Sequence, residues 1–350
     1  MTPRDGPLRV AIAGCHRMVM RPLAGHNWAT AFDAVPETEI VAVFDHGAET
    51  RAAFVECWGK VPTYDDYPHM LQDVQPDIVC IATRQTMHAE QGEQAIAAGV
   101  RGILFDKPLA TSLAETDRIV DACRGNNIPL AFGLDRRWHT SYRFLRQVIA
   151  DGAIGAVTGI MAYGLPNLIN HGCHWYDTML ALAGDLEPTW VSGFVADLSD
   201  EPPDSRGRMD PTGRAQVGLA NGAVAVVAPE GGPGLAFDVL GEQGRLLILN
   251  DAKEAHLWSV GSVGGRPGLH PRSLELPPVV EGWPAGPAAV RDLALAVQTG
   301  TPTACNVEHA RRATEIGFGV HLSSKDHGAR VSLPAAERSL RIPSFPWGNE

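Results

Sequence analysis

Short apolar runs alternate with amphipathic stretches over the first third of the chain. The apolar runs predict strands at Leu8–Ala13, Ile40–Phe44, Asp77–Ala82, Gly102–Phe105 and Pro129–Phe132. Helical patterns separate them, at Met20–Ala34, Ala48–Trp58, His88–Ala98 and Leu113–Asn126. The last of these opens with a capping box, Ser112-x-x-Glu115. Strands that alternate with helices are typical of βαβ units, so residues 1–130 are predicted to form an α/β, doubly wound, Rossmann-like parallel sheet.

After about residue 155 the pattern changes to closely spaced strands. These are predicted at Ala156–Tyr163, Thr189–Val195, Arg214–Leu219, Ala223–Val227, Ala236–Leu240 and Gly244–Leu249, with a helix at His174–Leu182. Asn221-Gly222 predicts a hairpin because both residues accept positive φ. Residues 131–350 are therefore predicted to form an α+β domain with a broad, mainly antiparallel sheet and helices on one face. Two stretches rich in Pro, Gly or Asp predict loops, Ser199–Gly213 and Gly261–Pro271.

Composition narrows the class of protein. The 350 residues suffice for two domains, and 45% of them are hydrophobic, as in globular cores. A net charge of −11 without a basic block argues against nucleic acid or an anionic membrane as partner, and no apolar run is long enough to span a bilayer. The polar start predicts no signal peptide, and six scattered cysteines are typical of a reduced, cytoplasmic protein. We expect no metal site, because no second Cys/His cluster accompanies His171-Gly-Cys173-His174.

Lys107 follows one of the predicted strands directly, in the stretch Gly102–Pro108. Pro108 has no N–H with which to continue the strand ladder, so Lys107 should lie just past the carboxyl end of a strand. Ligands bind at this edge of open α/β sheets, and a lysine there can polarise a hydroxyl group. Taken alone, the residue is more typical of a solvated loop.

Two other strand ends carry polar residues on the same predicted edge. An acid at the end of the second strand, Asp45, is placed to accept the adenosine ribose hydroxyls and to repel a 2′-phosphate, which favours NAD over NADP. The alternative is that Asp45 caps the following helix. At the next strand end, Thr83 and Gln85 are candidates for contact with the nicotinamide half of a dinucleotide. His88 is a further cofactor candidate or the first residue of its helix.

The first strand turn departs from the dinucleotide fingerprint. Gly-x-Gly-x-x-Gly spacing is expected there, but the chain keeps only Gly14, with His16 and Val19 at the second and third positions. A side chain at position 16 pushes a diphosphate outward. The remaining candidates for contact with the cofactor are His16, Arg17 and Met18, beside Gly14.

A second polar cluster occurs in the predicted α+β domain, in the run from Asn170 to Asp177. His174 lies four residues after Asn170 and three before Asp177, so one helical turn would place the three on a single face. A histidine between an amide and a carboxylate suits proton transfer at neutral pH. Without further context, a histidine that merely starts a helix is the more common case.

With these residues together, the chain resembles the Gfo/Idh/MocA family, named after glucose–fructose oxidoreductase, inositol dehydrogenase and rhizopine catabolism. Each matching piece is short, but the pieces share the family's order and spacing from Val10 to about Pro334. They are Tyr64–Tyr67, Ile81–His88, Ala95–Gly99, Asp106-Lys107-Pro108 (usually Glu-Lys-Pro), Arg136-Arg137-Trp138, Gly152–Gly155 and His174-x-x-Asp177.

The resemblance implies an NAD(P)-dependent oxidoreductase that acts on a hydroxyl or keto carbon of a sugar, cyclitol or related polyol. It implies that Lys107 contacts the reacting hydroxyl and that His174 is the acid/base. Asn170 stands where an aspartate often precedes this histidine, and it cannot ionise. Asp177 matches an acid that supports the histidine or binds substrate, and Arg137 lies where residues of the second domain often reach the substrate. Asp106 and Pro108 join Lys107 at the cofactor. The first domain would then bind the dinucleotide, and the second would bind substrate and form a homodimer or homotetramer.

Two alternatives account for the altered glycine loop and for Asn170. One is a redox-neutral enzyme with a captive NAD, glycosidase-like or epimerase-like, which need not release its cofactor. The other is a non-catalytic ligand-binding protein on the same fold, since a fold does not fix a function. Retention of Lys107 and His174 speaks against the second alternative.

Overall fold

A computed structural model describes residues 6–20, 26–196, 210–232, 234–263 and 265–343. Contacts divide the chain into two compact units. The first comprises the residues up to 138 together with 280–311, and the second comprises 139–279 together with the residues from 312 onwards. Within the described residues, the helices are α1 (His16–Met20), α2 (Trp28–Asp33), α3 (Ala48–Trp58), α4 (Tyr67–Val74), α5 (His88–Ala97), α6 (Leu113–Gly125), α7 (Thr140–Ala150), α8 (Gly172–Leu182), α9 (Ala285–Thr299) and α10 (Val307–Lys325).

A parallel sheet forms the centre of the first unit. Its strands are β1 (Leu8–Ala13), β2 (Thr38–Phe44), β3 (Thr63–Tyr64), β4 (Ile78–Ile81), β5 (Gly102–Phe105) and β6 (Leu130–Phe132). They pair in the order β3-β2-β1-β4-β5-β6, and every neighbouring pair is parallel. β4 and β5 are buried along their whole length, as expected for strands covered on both faces. The predicted doubly wound, Rossmann-like sheet is confirmed.

The helices of the first unit refine two predictions. The single helix predicted over Met20–Ala34 is instead α1 and α2, and residues 21–25 between them lie outside the described residues. At the start of α6, the Ser112 hydroxyl accepts the Glu115 N–H at 3.1 Å, as a capping box requires. The Glu115 carboxylate, however, accepts the N–H and hydroxyl of Thr111, at 2.8 and 2.5 Å, rather than the N–H of Ser112.

The boundary between the units differs from the one predicted after residue 130. α9 belongs to the first unit because it packs against β5. A Cβ at Gly102 would lie 2.5 Å from a methyl group of Val297 and 3.3 Å from one of Leu293, so the helix approaches the strand closely. A single boundary in the sequence cannot describe the first unit, because α9 returns to its sheet from about 150 residues later in the chain. The roles of the two units as cofactor- and substrate-binding domains remain a prediction.

The second unit is built around a broad mixed sheet. Its strands are β7 (Val157–Tyr163), β8 (Pro188–Val195), β9 (Gly213–Leu219), β10 (Val224–Val227), β11 (Ala236–Gly241), β12 (Gly244–Leu249), β13 (Glu254–Val263), β14 (Arg266–Arg272) and β15 (Val331–Ser332). They pair in the order β14-β13-β12-β11-β7-β10-β9-β8-β15, and only β7 with β10 is parallel among the described residues. The predicted α+β class and mainly antiparallel sheet are confirmed.

Turns in the second unit give one confirmation and one correction. β9 and β10 form the predicted hairpin, in which Gly222 has φ +86°. The loop predicted over Gly261–Pro271 is wrong: this stretch forms most of the β13–β14 hairpin, where ladder pairing outweighs the weak strand propensity of Gly and Pro. Most of the other predicted loop, Ser199–Gly213, lies outside the described residues. In the part of the chain that the structure describes, no helix is both long and apolar enough to cross a membrane.

Candidate functional site

Gly14 forms the turn after β1 and could not be replaced by a larger residue without rearrangement. Its φ is +87°, a conformation that L side chains rarely adopt. A Cβ there would lie 2.6 Å from both the carbonyl oxygen of Ala82 and the backbone nitrogen of Thr83. The Gly14 N–H donates to the Phe44 carbonyl at 2.8 Å. The ends of β1, β2 and β4 therefore meet closely at this glycine.

Asp45 follows β2 and ties two turns together. Its Oδ2 accepts the Cys15 N–H at 3.0 Å, and its Oδ1 accepts the Gly47 N–H at 2.9 Å. The helix-cap alternative is not realised, because Gly47 is the N-cap of α3 and no side chain caps that end. A carboxylate has about four lone-pair sites, so Asp45 retains acceptor capacity beside the glycine turn.

The Cys15 thiol is held neutral beside this carboxylate. Its Sγ lies 3.8 Å from Asp45 Oδ2. Burial, followed by the charge of Asp45, raises the pKa of Cys15 to about 12. Cys15 therefore donates a weak hydrogen bond to Asp45 and has no thiolate character near neutral pH.

The residues after Gly14 separate into exposed and buried positions. His16 and Arg17 are exposed at the start of α1, and Met18 is buried. The Met18 carbonyl accepts the Trp58 indole N–H at 3.4 Å. The side chain of His16 thus occupies the rim of the turn, where the dinucleotide fingerprint has a glycine.

At the end of β4, Thr83 is fixed by its neighbours. Its hydroxyl donates to Gln91 Oε1 at 2.5 Å, and Gln85 lies half-buried in the short 3-10 turn that follows. His88 is only 1% exposed, and its Nδ1 and Nε2 face the carbonyl oxygens of Leu109 and Thr83 at 3.1 and 3.3 Å. His88 is the first residue of α5, which was the alternative for it, and its ring links the loops after β4 and β5; its contact with cofactor stays a prediction.

Lys107 lies past the carboxyl end of β5, as predicted, and lines a cavity of about 110 Å³. It is half-buried, and its backbone N–H donates to Asp106 Oδ1 at 2.9 Å. Pro108 is buried behind it. Five predicted site residues are thus brought to one cavity of the first unit: Gly14, Arg17, Met18, Asp106 and Lys107.

The second predicted cluster lies at the start of α8, in the second unit. His174 and Asp177 are one turn apart on this helix and are 9% and 1% exposed. Asn170, 2% exposed, precedes the helix, whose N-cap is His171. The prediction that all three share a helical face therefore holds for His174 and Asp177 but not for Asn170, which belongs to the preceding turn.

Asp210 holds this turn in place and was not found from the sequence. It is fully buried, and its carboxylate accepts the N–H of Ile169, at 2.9 and 3.1 Å, and of Asn170, at 2.9 Å. His321 Nε2 lies 3.7 Å from its Oδ1. A lone acid in a Pro- and Asp-rich stretch gives no local signal that it binds backbone 40 residues away.

Arg137 is placed differently from its predicted role. It lies in a 3-10 turn after β6, within the first unit, and is 2% exposed. Its Nη1 donates to the Ala304 carbonyl at 3.2 Å. The guanidinium is buried with one contact to backbone, and the substrate contact implied by the family-like Arg-Arg-Trp pattern stays a prediction.

The first unit matches a family model along almost its whole sheet. Residues 8–133 match the model described as "Oxidoreductase family, NAD-binding Rossmann fold", GFO_IDH_MocA. Over these residues the chain matches the Gfo/Idh/MocA family. The family resemblance inferred from the sequence is confirmed.

Curated relatives match the same part of the chain. The dTDP-3,4-didehydro-2,6-dideoxy-alpha-D-glucose 3-reductase of Streptomyces violaceoruber is 32% identical over 155 residues, which are 44% of this chain and 43% of the relative. The D-glucoside 3-dehydrogenase of Escherichia coli is 28% identical over 153 residues, 44% of this chain and 42% of the relative. The matched region thus spans less than half the length of these curated relatives.

Solved structures extend the similarity of fold to both units. Levoglucosan dehydrogenase in complex with NADH and levoglucosan aligns with a TM-score of 0.77 and 20% identity, over 94% of this chain and all of that one. An oxidoreductase from Agrobacterium radiobacter, in complex with NAD⁺, L-tartaric acid and magnesium, aligns with a TM-score of 0.75 and 18% identity, over 93% and 98%. At this identity the comparison shows the shared fold.

Among the described residues, His, Cys, Asp and Glu form no group of three or more that is arranged to hold a metal ion. All six cysteines are free thiols, and five of them are buried.

Proposed function

We propose that this chain is an NAD-dependent oxidoreductase that transfers hydride to or from a hydroxyl or keto carbon of a sugar, cyclitol or related polyol. The observation that carries the proposal is that Gly14 and Lys107 line the same cavity. Gly14 forms the first turn of an NAD-binding fold, and Lys107 lies just past the end of β5. Relatives named as sugar reductases and dehydrogenases support the substrate class.

The residues of the first unit fit a dinucleotide. At Gly14 the turn passes so close to β4 that any Cβ would fill the space, which is the reason for a glycine at this fingerprint position. His16 and Arg17 are exposed beside it and can contact phosphate by their side chains. When bound there, NAD would supply the hydride acceptor.

Asp45 favours NAD over NADP in this proposal. Its two hydrogen bonds from Cys15 and Gly47 fix the carboxylate at the end of β2, with lone pairs left for ribose hydroxyls. A 2′-phosphate at the same place would meet this negative charge. Arg51 donates to the Asp45 carbonyl at 2.6 Å and to the His46 carbonyl at 3.1 Å, so its charge is engaged with backbone.

Lys107 and His174 handle the proton in this proposal. Oxidation of an alcohol removes hydride from carbon and a proton from oxygen, and the family resemblance assigns the proton to these two side chains. His174 accepts the hydroxyl proton, and the Lys107 ammonium stabilises the developing negative charge on oxygen. Asn170 orients the substrate or His174 by hydrogen bonds, and Asp177 binds substrate or supports the histidine.

Assembly and location are part of the same proposal. Apolar side chains are exposed on the mixed sheet, among them Val224, Leu240 and Val260. An exposed apolar sheet face of this kind favours contact with a second copy, so we propose a homodimer or homotetramer. Free, mostly buried cysteines support a reducing, cytoplasmic compartment.

The test begins with purified protein checked by mass spectrometry for bound dinucleotide. NAD or NADP is then added with levoglucosan, methyl β-D-glucopyranoside or myo-inositol, and NADH is followed by absorbance. NADH formation with at least one alcohol, and faster with NAD than with NADP, is the expected result. Copurified NAD at one per chain with no net NADH would favour the redox-neutral alternative. Absence of any dinucleotide binding would refute the proposal.

A further inference from the structure

Three aromatic side chains form one wall of the cavity that Lys107 lines. We call them the aromatic cluster: His26, Trp28 and Trp283, all in the first unit. The rings of His26 and Trp283 stack, with centroids 4.9 Å apart and planes 12° apart. Trp28 meets Trp283 edge-on, at 4.8 Å and 65°. The His26 side chain is 60% exposed, so the stack is reachable from solvent.

Glycines make room for both indoles. A Cβ at Gly286 would lie 2.5 Å from the ring of Trp283. A Cβ at Gly133 would lie 3.2 Å from Cζ2 of Trp28 and 3.1 Å from Asp106 Oδ1. A side chain at Gly286 or Gly133 would therefore collide with the indole rings.

A buried carboxylate fixes the orientation of the stack. Asp135, 6% exposed, accepts the Trp283 indole N–H at 2.8 Å and Arg136 Nη1 at 2.8 Å, and His26 Nδ1 lies 3.9 Å away. Burial raises the pKa of Asp135, but Arg136, Trp283 and His26 together outweigh burial, so this pKa lies below its ordinary value. The anion persists at neutral pH and keeps the indole in one position.

The order of strand ends shows which ligand this wall would meet. Along the carboxyl edge of the sheet, Asp45 follows β2, Gly14 follows β1, Thr83 follows β4 and Lys107 follows β5. The aromatic cluster continues past Lys107: Trp28 packs on Gly133, directly after β6, and Trp283 is held by Asp135 in the turn beyond. A dinucleotide running from Asp45 to Thr83 leaves this side of Lys107 to the substrate.

We propose that the aromatic cluster is a platform for the apolar face of a pyranose ring, one hydroxyl of which reaches Lys107. The C–H bonds on one face of a pyranose carry partial positive charge and pack on the negative face of an aromatic ring. The ring's hydroxyls point outward to polar groups such as the lysine ammonium. An open-chain polyol has no such flat face, so the platform selects cyclic sugars. This inference rests on the proposed function.

The test compares wild type with Trp283→Leu, which removes the aromatic face, and Trp283→Phe, which keeps it. Trp258→Leu, a substitution of an indole on β13, is the control for loss of a tryptophan. Binding of methyl β-D-glucopyranoside and of ribitol is measured by saturation-transfer NMR with and without NADH, and NADH affinity is measured by calorimetry. Thermal melting checks that each variant is folded.

We expect wild type to bind the pyranoside more tightly than ribitol. Trp283→Leu should weaken pyranoside binding about tenfold and leave NADH affinity unchanged, whereas Trp283→Phe and Trp258→Leu should stay near wild type. Equal pyranoside affinity in wild type and Trp283→Leu overturns the proposal. A Trp283→Leu variant that loses affinity for NADH alone also overturns it, because the cluster would then serve the cofactor. A wild-type protein that binds no pyranoside overturns it as well. If NADH does not bind to wild type, the proposed function fails. The titration without NADH still shows whether the aromatic cluster binds the pyranoside.

Discussion

The carboxyl edge of the parallel sheet and the turn before α8 hold the two groups of predicted site residues, and they are built in opposite ways. At the sheet edge, successive strands each deliver one residue: Asp45, Gly14, Thr83 and Lys107. Before α8, a short run of chain delivers Asn170, His174 and Asp177 together, and a distant carboxylate, Asp210, holds the turn. Topology assembles the first group, whereas long-range hydrogen bonds, those of Asp210 among them, hold the second.

The difference has consequences for tolerance to mutation. Each residue at the sheet edge is supported by its own strand, so the loss of one side chain leaves the others in place. In the turn before α8, one buried acid accepts two backbone N–H groups, and such groups are costly to leave unpaired. Substitutions at the sheet edge should therefore change chemistry or cofactor binding, while substitution at Asp210 should change stability as well.

The largest expected effect is on turnover at Lys107. Lys107→Ala should lower kcat by at least about 10²-fold, because it removes the charge proposed to stabilise the substrate oxygen. NAD affinity should change little. Lys253→Ala, a substitution of an exposed lysine before β13, is the matched control and should keep wild-type turnover. Turnover of Lys107→Ala near that of the control would contradict the role of Lys107.

Loss of the anchor before α8 should destabilise the protein. Asp210→Ala leaves the Ile169 and Asn170 N–H groups without their acceptor, at a cost of about 2–4 kcal/mol in free energy of unfolding. Asp210→Asn keeps one acceptor oxygen and should recover part of this loss. Chemical denaturation gives the values, with Asp121→Ala at an exposed site of α6 as control. An Asp210→Ala protein as stable as the control would show that water replaces the carboxylate.

Two glycines of the first unit allow the cost of backbone strain to be measured apart from the cost of a collision. Gly59→Ala, at φ +82° with open space around it, should cost about 1 kcal/mol for its conformation alone. Gly14→Ala adds a collision with the backbone of β4 and should cost about 1–2 kcal/mol more. Denaturation curves and NAD titration of both variants measure this. Equal losses in the two variants would mean that the β4 contact yields easily.

The smallest effect is a pH dependence from His88. Burial lowers the pKa of this imidazole below its ordinary value of 6.5, so the unfolded chain binds a proton that the folded chain does not. Stability from this residue is complete above pH 6.5 and falls as the pH drops through the window down to the folded pKa, by at most about 1.4 kcal/mol per pH unit. His88→Gln should flatten that part of the stability–pH curve. A wild-type curve with the same slope as the variant would contradict this account.

The sequence predicts the sheet edge far better than the anchors around it. Apolar runs locate the strands, and in a parallel sheet every strand end falls on one edge, so Asp45, Gly14, Thr83 and Lys107 follow from local pattern and general topology. Asp210, Trp283 and Asp135 do not, because each acts through a partner distant in sequence. The same limit applies to Arg137 and His88, whose contacts with the backbone carbonyls of Ala304 and Leu109 do not follow from residue type.

Calorimetric titration of NAD into wild type, Gly14→Ala and His174→Gln, after mass spectrometry has excluded bound dinucleotide, tests the central claim most directly. Cofactor binding is proposed at the sheet edge of the first unit, and proton transfer is proposed at His174 on α8. Wild type and His174→Gln should therefore bind one NAD per chain with equal Kd, while Gly14→Ala should bind at least about tenfold more weakly. Absence of binding of NAD and NADP to wild type, or equal binding by Gly14→Ala, would contradict it.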